Sequence, residues 1–245
     1  MTEQFKLGIL FGDKEGRPPA EIAPGWDYTE VPVALQIQPF ESNANWETKK
    51  NEIESWNLPP IRVASHFIQF WGLAATGLGV DLEQNEFWTR RAFERMAELG
   101  VSVAGIYGGF FRTYDGISRT ELMDQALQFV NLLADHAREH NITVALEPIA
   151  ELDTLWPRYL DGLNFAKELG RPEVRVMADL NYFLKLDQPF TDIAVEPDYC
   201  MHCHIAENKA QPGVGDREDV LMDLFRVLRD SGYERGVSAA CAWVS

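Results

Sequence analysis

Short runs rich in apolar and β-branched residues recur eight times along this chain: KLGILF, YTEVPV, IRVASHF, VSVAGIYGG, ITVALEPI, VRVMADL, YCMHCHIA and GVSAACAW. Most are separated by stretches with helical periodicity. Two adjacent strands can run antiparallel across a two-residue turn, but a parallel pair needs a long crossover, usually a helix. Strand and helix in alternation therefore predict a parallel sheet, and eight repeats predict that the sheet closes on itself. At 245 residues the chain has the usual size of one such barrel. No linker rich in Gly, Ser or Pro divides it, so residues 1–245 are expected to form a single domain.

The fold class expected is thus α/β, a (β/α)8 TIM barrel, and the punctuation between strands agrees. A polar amphipathic stretch lies near residues 45–56. Residues 82–99 have helical periodicity and stop at Gly100, a typical helix terminator. Ser118 with Glu121 three residues later has capping-box spacing. The core face that follows is Leu122, Leu127, Phe129, Val130, Leu133 and Ala137, ending near His140 and Asn141. A helix is expected over 157–169, stopped by Gly170 and Pro172, and another from a cap at Asp216 to Asp230. The first connection, with Gly16, Pro18, Pro19, Pro24 and Gly25, leaves little room for a helix. The chain stops at Ser245, almost as strand eight ends. An eighth outer helix is therefore expected to be missing, and a homodimer is expected over the apolar surface left bare.

The formal net charge is −16. A nucleic-acid surface needs clustered Lys and Arg, so this balance excludes that class of partner. No apolar run approaches the roughly 20 residues of a membrane span, and the N-terminus lacks the pattern of a secretory signal. A cytoplasmic location with free thiols is expected for Cys200, Cys203 and Cys241. Cys200 and Cys203 lie in a strand, where alternation sends them to opposite faces. A redox or zinc-ribbon role is not expected of them.

In such barrels the chemistry sits at the C-terminal ends of the strands. The polar residues found there, with the eighth position, are Asp13, Glu30, His66, Tyr107, Glu147, Asp179, His204 and Ala240. Taken singly, Glu147 reads as a carboxylate at a loop start, Asp179 as a helix cap and His204 as a core histidine. Together they form a more specific set. Two carboxylates and an imidazole from three successive strand ends suit a divalent metal, Mn²⁺ foremost, with Mg²⁺, Co²⁺ or Zn²⁺ also accommodated. Their charges sum to −2, matching such a cation. His202 points to the same side of its strand as His204. Aromatic residues expected near loop tips (Phe67, Phe70, Trp71, Tyr107, Phe110, Phe111, Tyr182 and Phe183) could pack on sugar C–H faces. Lys185 and Lys209 are the nearest cations for a phosphate, and no phosphate-binding loop is present.

The stretches GWDYTEVPV, NITVALEPI, VRVMADLNYF and HCHIAENKAQPGVGD carry a resemblance to the xylose isomerase-like barrels: sugar isomerases and epimerases, inosose dehydratases and hydroxypyruvate isomerases. The H-x-H-I-x-E-N run followed by P-G-x-G-D is similar to the signature of ketose 3-epimerase-like members. The resemblance implies metal ligands at Glu147, Asp179 and His204, the family's second-strand acid at Glu30, and its signature acid at Glu207. It implies a small-molecule sugar, keto-sugar or polyol substrate, converted through an enediolate with Glu147 as acid and base. The residues expected around substrate are Glu30, His66, Tyr107, Tyr182, His202, Lys209 and Trp243.

The chain also departs from that pattern. The family's eighth strand usually reads V-S-x-E-C-x-W; here it is Val237-Ser238-Ala239-Ala240-Cys241-Ala242-Trp243. Ala240 stands where the fourth ligand and second catalytic Glu would be. Asp179 is followed by Leu180, Asn181 and Tyr182 instead of ending a D-x-x-H, and Ala210 replaces an Arg. Ala240 fits an inactivating substitution, a natural one-base enzyme, or a protein that binds sugar without turnover. A dehydratase of an inosose-like keto-polyol, with Glu147 or Glu207 as base, is the alternative reaction. An apurinic endonuclease needs a richer histidine set than the five present.

Overall fold

The computed structural model describes residues 5–10, 18, 24–67, 74–113, 116–206 and 217–240. Eight strands form a closed barrel in sequence order: β1 (Lys6–Leu10), β2 (Tyr28–Pro32), β3 (Ile61–Phe67), β4 (Val103–Tyr107), β5 (Thr143–Glu147), β6 (Val174–Asp179), β7 (Cys200–Ile205) and β8 (Gly236–Ala240). Every neighbouring pair is parallel, including the closing pair, where Leu10 lies beside Ala240. The helices are α1 (Asn43–Ser55), α2 (Leu82–Glu98), α3 (Arg119–His140), α4 (Tyr159–Leu169), α5 (Leu180–Lys185) and α6 (Glu218–Asp230). The expected eighth helix concerns chain beyond Ala240, outside the described residues. Among the described residues, no helix is long and apolar enough to cross a membrane.

Local sequence accounts for most helix ends. Ser118 Oγ accepts from the Glu121 amide at 3.1 Å, and Asp81 Oδ1 accepts from Gln84 at 3.0 Å; each satisfies a donor that the first turn leaves unpaired. Helix α3 ends at Asn141 in the left-handed conformation, and α4 at Gly170 likewise. Helix α4 begins at Tyr159, two residues after the expected start. Helix α6 follows Arg217, and its expected cap, Asp216, lies outside the described residues. Helix α5 was not foreseen, because six residues are too few to show a period.

The main core lies between the outer faces of the strands and the helices. Val144, Leu146 and Val176 from the sheet meet Phe129, Leu133, Leu163 and Phe165 there. Phe111 and Phe183, expected at loop tips, belong to this core instead. Phe111 packs 4.5 Å from the Trp156 ring, and Phe183 packs 5.5 Å from Tyr159. Both follow strand ends so closely that the chain turns them back under the barrel rim.

Inside the barrel the packing is tight and partly polar. The Tyr28 ring lies where Cβ atoms on Gly8 and Gly236 would fall, 2.1 and 2.6 Å from its atoms. Its hydroxyl bonds Ser238 Oγ at 2.9 Å. Two strands break strict alternation. In β7 the pairing steps from Val176–Cys200 to Met177–His202, so Met201 is an extra, bulged residue. The bulge overturns the expectation for the cysteines: Cys200 and Cys203 share a face, with their sulfurs 3.7 Å apart in the outer core. In β3 the register shifts between Ala64 and Phe67, and His66 within that shift has φ 56°.

Candidate metal centre

Glu147 ends β5 and Asp179 ends β6, while His204 is the penultimate residue of β7. Asp179 pairs in register with His204, which sets these two side chains at one height on the barrel's inner wall. His204 Nδ1 lies 3.5 Å from Glu147 Oε1 and 3.7 Å from Asp179 Oδ2. One donor atom from each residue falls within 4.8 Å of the others. Ligands at about 2.0–2.2 Å from a first-row cation stand about 3–3.5 Å apart in a tetrahedral arrangement, so the set fits such an ion with small adjustments. The donor chemistry fits as well: two carboxylates and an imidazole nitrogen aimed at them.

Backbone packing fixes these groups. A Cβ on Gly108 would come 2.4 Å from the Glu147 carbonyl oxygen, so only glycine lets the chain just past β4 pass that close. On the other side, Gly162 of α4 gives room to Pro148, whose Cγ would lie 2.5 Å from an added Cβ. Asp179 divides its oxygens. Oδ1 accepts from the amides of Asn181 at 2.8 Å and Tyr182 at 3.3 Å, capping α5, and Oδ2 faces His204. Cap and candidate ligand are thus one residue.

Below this group lies a second one. Glu30 Oε1 bonds His204 Nε2 and Oε2 bonds His202 Nε2, both at 2.8 Å. Glu30, His202, His204 and Glu147 are 0, 1, 2 and 3 % exposed. Burial opposes the charge on Glu30, but the facing His204 and His202 and their hydrogen bonds hold its pKa well below the usual carboxylate value. Burial likewise opposes charge on His204. The Glu30 carboxylate and hydrogen bonds to Asp179, Glu147 and Glu30 prevail, raising its pKa well above the ordinary imidazole value.

A cavity of about 170 Å³ opens above the metal group, lined by Leu10, His66, Glu147, Asp179, Asn181, Tyr182, His204 and Ala240. Burial, the largest influence on His66, lowers its pKa and favours the neutral ring. The β3 bulge turns this histidine toward the cavity, a recurrent use of bulges. Tyr182 reaches the cavity with its hydroxyl bonded to that of Tyr107, and burial raises both phenol pKa values.

Of the strand-end residues, His66, Glu147, Asp179, His204 and Ala240 line this cavity together with Tyr182, and Asp13 lies outside the described residues. Glu30 and His202, expected around substrate, are not among the cavity-lining residues. Glu30 is the third residue of β2 instead of its last, and it is bonded to both histidines beneath the cavity. Tyr107 stands behind Tyr182 and is not in the lining either. Glu207, Lys209 and Trp243 lie outside the described residues. Asn181 lines the cavity unforeseen; its signal is its place two residues beyond a capping Asp.

A family model described as xylose isomerase-like TIM barrel matches residues 25–243. No curated protein matches the chain. Among solved structures, 3-keto-D-glucoside 4-epimerase from E. coli superposes with a TM-score of 0.75 at 19% identity, covering 98% of this chain and 93% of that one. D-allulose 3-epimerase from Methylomonas sp., in complex with D-allulose, gives 0.73 at 18% identity over 97% and 84%. An AP endonuclease of family 2 from Brucella melitensis gives 0.68 at 19% identity over 89% and 83%. At these identities the likeness establishes the fold.

Proposed function

Since the chain belongs to the xylose isomerase-like TIM-barrel family, we propose that it is a divalent-metal-dependent isomerase or epimerase of a small sugar, keto-sugar or polyol. The observation that carries this reading is the buried convergence of Glu147, Asp179 and His204 at the floor of a strand-end cavity. The epimerase neighbours act on keto-sugars by name, which supports the substrate class. Mn²⁺ suits the donor set best among common cations.

When bound, the cation would polarise a carbonyl and its neighbouring hydroxyl and offset the charge of an enediolate. Glu147, Asp179 and His204 would hold it. Glu147 also removes the carbon-bound proton and returns it, since a carboxylate has a second oxygen beyond the one facing His204. His66 and Asn181 offer hydrogen bonds to sugar hydroxyls, and Tyr182 closes one side of the cavity against water. Leu10 and Ala240, adjacent across the β1–β8 seam, make an apolar wall. Among the described lining residues, Glu147 is thus the carboxylate that can act on a substrate carbon while Asp179 caps a helix. One base favours same-face delivery of the proton to the neighbouring enediolate carbon, with the hydroxyl proton passing between the two oxygens, an aldose–ketose isomerisation; epimerisation needs a second donor on the opposite face.

The test is metal binding followed by a panel of aldoses, ketoses and inososes. Conversion between sugar isomers that needs Mn²⁺ and is lost in Glu147→Gln is the expected result. Loss of water from a keto-polyol, seen as new enone absorbance, would replace this reading with a dehydratase. Ala240 on the cavity wall favours a second reading, a sugar-binding protein without turnover; tight sugar binding with no conversion, even in Ala240→Glu, would support it.

A further inference from the structure

Glu30 of β2 uses both carboxylate oxygens on two histidines of β7, and all three side chains are sealed from solvent. An ionised carboxylate can only accept hydrogen bonds, so both ring Nε2 atoms must carry protons. That requirement decides which end of His204 faces the cavity. With Nε2–H committed to Glu30, Nδ1 is the nitrogen left to face Glu147 and Asp179. The His202 ring stands edge-on to His204, 5.1 Å between centroids, and it holds the second oxygen of Glu30.

We infer that Glu30 is a positioning residue of the metal centre, fixing the tautomer and ring angle of His204 so that Nδ1 is presented to the cation, with His202 as the clamp that keeps Glu30 in place. The inference rests on Glu147, Asp179 and His204 being the ligand set. A carboxylate behind a ligating imidazole fixes its orientation and raises its basicity, and losing such a partner costs metal affinity. Gln at position 30 keeps the shape but has one accepting oxygen. It can satisfy one ring N–H, and the other histidine must rotate or move its proton to Nδ1.

The experiment titrates wild type, Glu30→Gln and His202→Gln with Zn²⁺ and Mn²⁺ by calorimetry, with a thermal melt of each metal-free protein. A single ion per wild-type chain is expected, with affinity falling about tenfold to a hundredfold in Glu30→Gln. His202→Gln, which keeps the Glu30–His204 bond, should lose less. Nitrogen-15 NMR of the Zn²⁺-loaded wild type should show the His204 ring proton on Nε2 and a bare Nδ1; this readout does not depend on any variant folding. Undiminished affinity in Glu30→Gln, a ring proton on Nδ1, or two ions per chain (the second within Glu30, His202 and His204) would overturn the inference while leaving the metal site standing. A wild type that binds no divalent ion would remove the proposed function and the inference together.

Discussion

Asp179 shows how a single side chain can look ordinary in sequence and still serve the site: one oxygen caps α5 and the other faces His204. Ala240 is the converse, a residue without chemistry in a position that lines the cavity. Ala240→Glu adds a carboxylate at the rim of the metal group. It is expected to tighten Mn²⁺ binding by about tenfold, worth about 1.4 kcal/mol, and calorimetric titration checks it; unchanged affinity would sink the idea that a ligand is missing there. The two displaced pKa values give a pH signature. His204 is raised, so its charge stabilises the metal-free fold below the ordinary imidazole value, and that contribution fades as pH rises through the raised value. Glu30 is lowered, so its contribution is present above the ordinary carboxylate value and is lost as pH falls through the depressed one. The metal must displace the His204 Nδ1 proton, so binding should release protons and strengthen with rising pH. Titration in two buffers of different ionisation enthalpy measures the release; no difference between buffers contradicts the geometry. At this scale, Glu147, Asp179 and His204 were legible because each terminates an apolar run. The partnership of Glu30 was not, because residues 172 and 174 apart meet there.

Elements hold the site by close approach more than by polar bonds. Helix α4 touches the chain just past Glu147 at Gly162, where an added methyl would meet Pro148 at 2.5 Å. Gly162→Ala should therefore destabilise the protein by about 1–3 kcal/mol, the range for overpacking, and weaken metal binding through Pro148 and Glu147. A chemical denaturation curve and a metal titration test both; normal affinity at reduced stability would show that the helix supports the fold without reaching the site. The eight strands and most helices were readable because alternation, Ser118 and Asn141 state their own boundaries. The bulges in β3 and β7 were not, since nothing in SHF or YCM marks an unpaired residue. That is why the cysteine pair was misplaced, while His66 was read from its place at the end of its strand.

For the molecule as a whole, a cation at the floor of the cavity ties β5, β6 and β7 together in a chain carrying a formal charge of −16. A ligand bound only to the folded state adds about 2.7 kcal/mol at a hundred times its dissociation constant. At about 2–4 °C per kcal/mol for a chain of this size, removing the metal with a chelator should lower the melting midpoint by about 5–10 °C. A midpoint that ignores both chelator and added Mn²⁺ would argue against the metal centre. The barrel itself was legible from the eightfold alternation. Its lower interior was not: the Tyr28–Ser238 pair and then Glu30 with His202 rise as polar levels beneath the metal group, each joining strands far apart in sequence.

The bulge at Met201 makes β7 a strand whose parity changes partway along its length. Upstream of it, even numbers face the helices, as Cys200 does; downstream, even numbers face the lumen, as His202 and His204 do. Deleting Met201 would leave Cys200 and Cys203 facing the helices and both histidines facing the lumen in a regular strand, whereas adding or removing one residue between His202 and His204 would turn one histidine away from the other. Changes of length should therefore be tolerated at Met201, where the extra residue sits, and far less between His202 and His204, where the pairing is one to one.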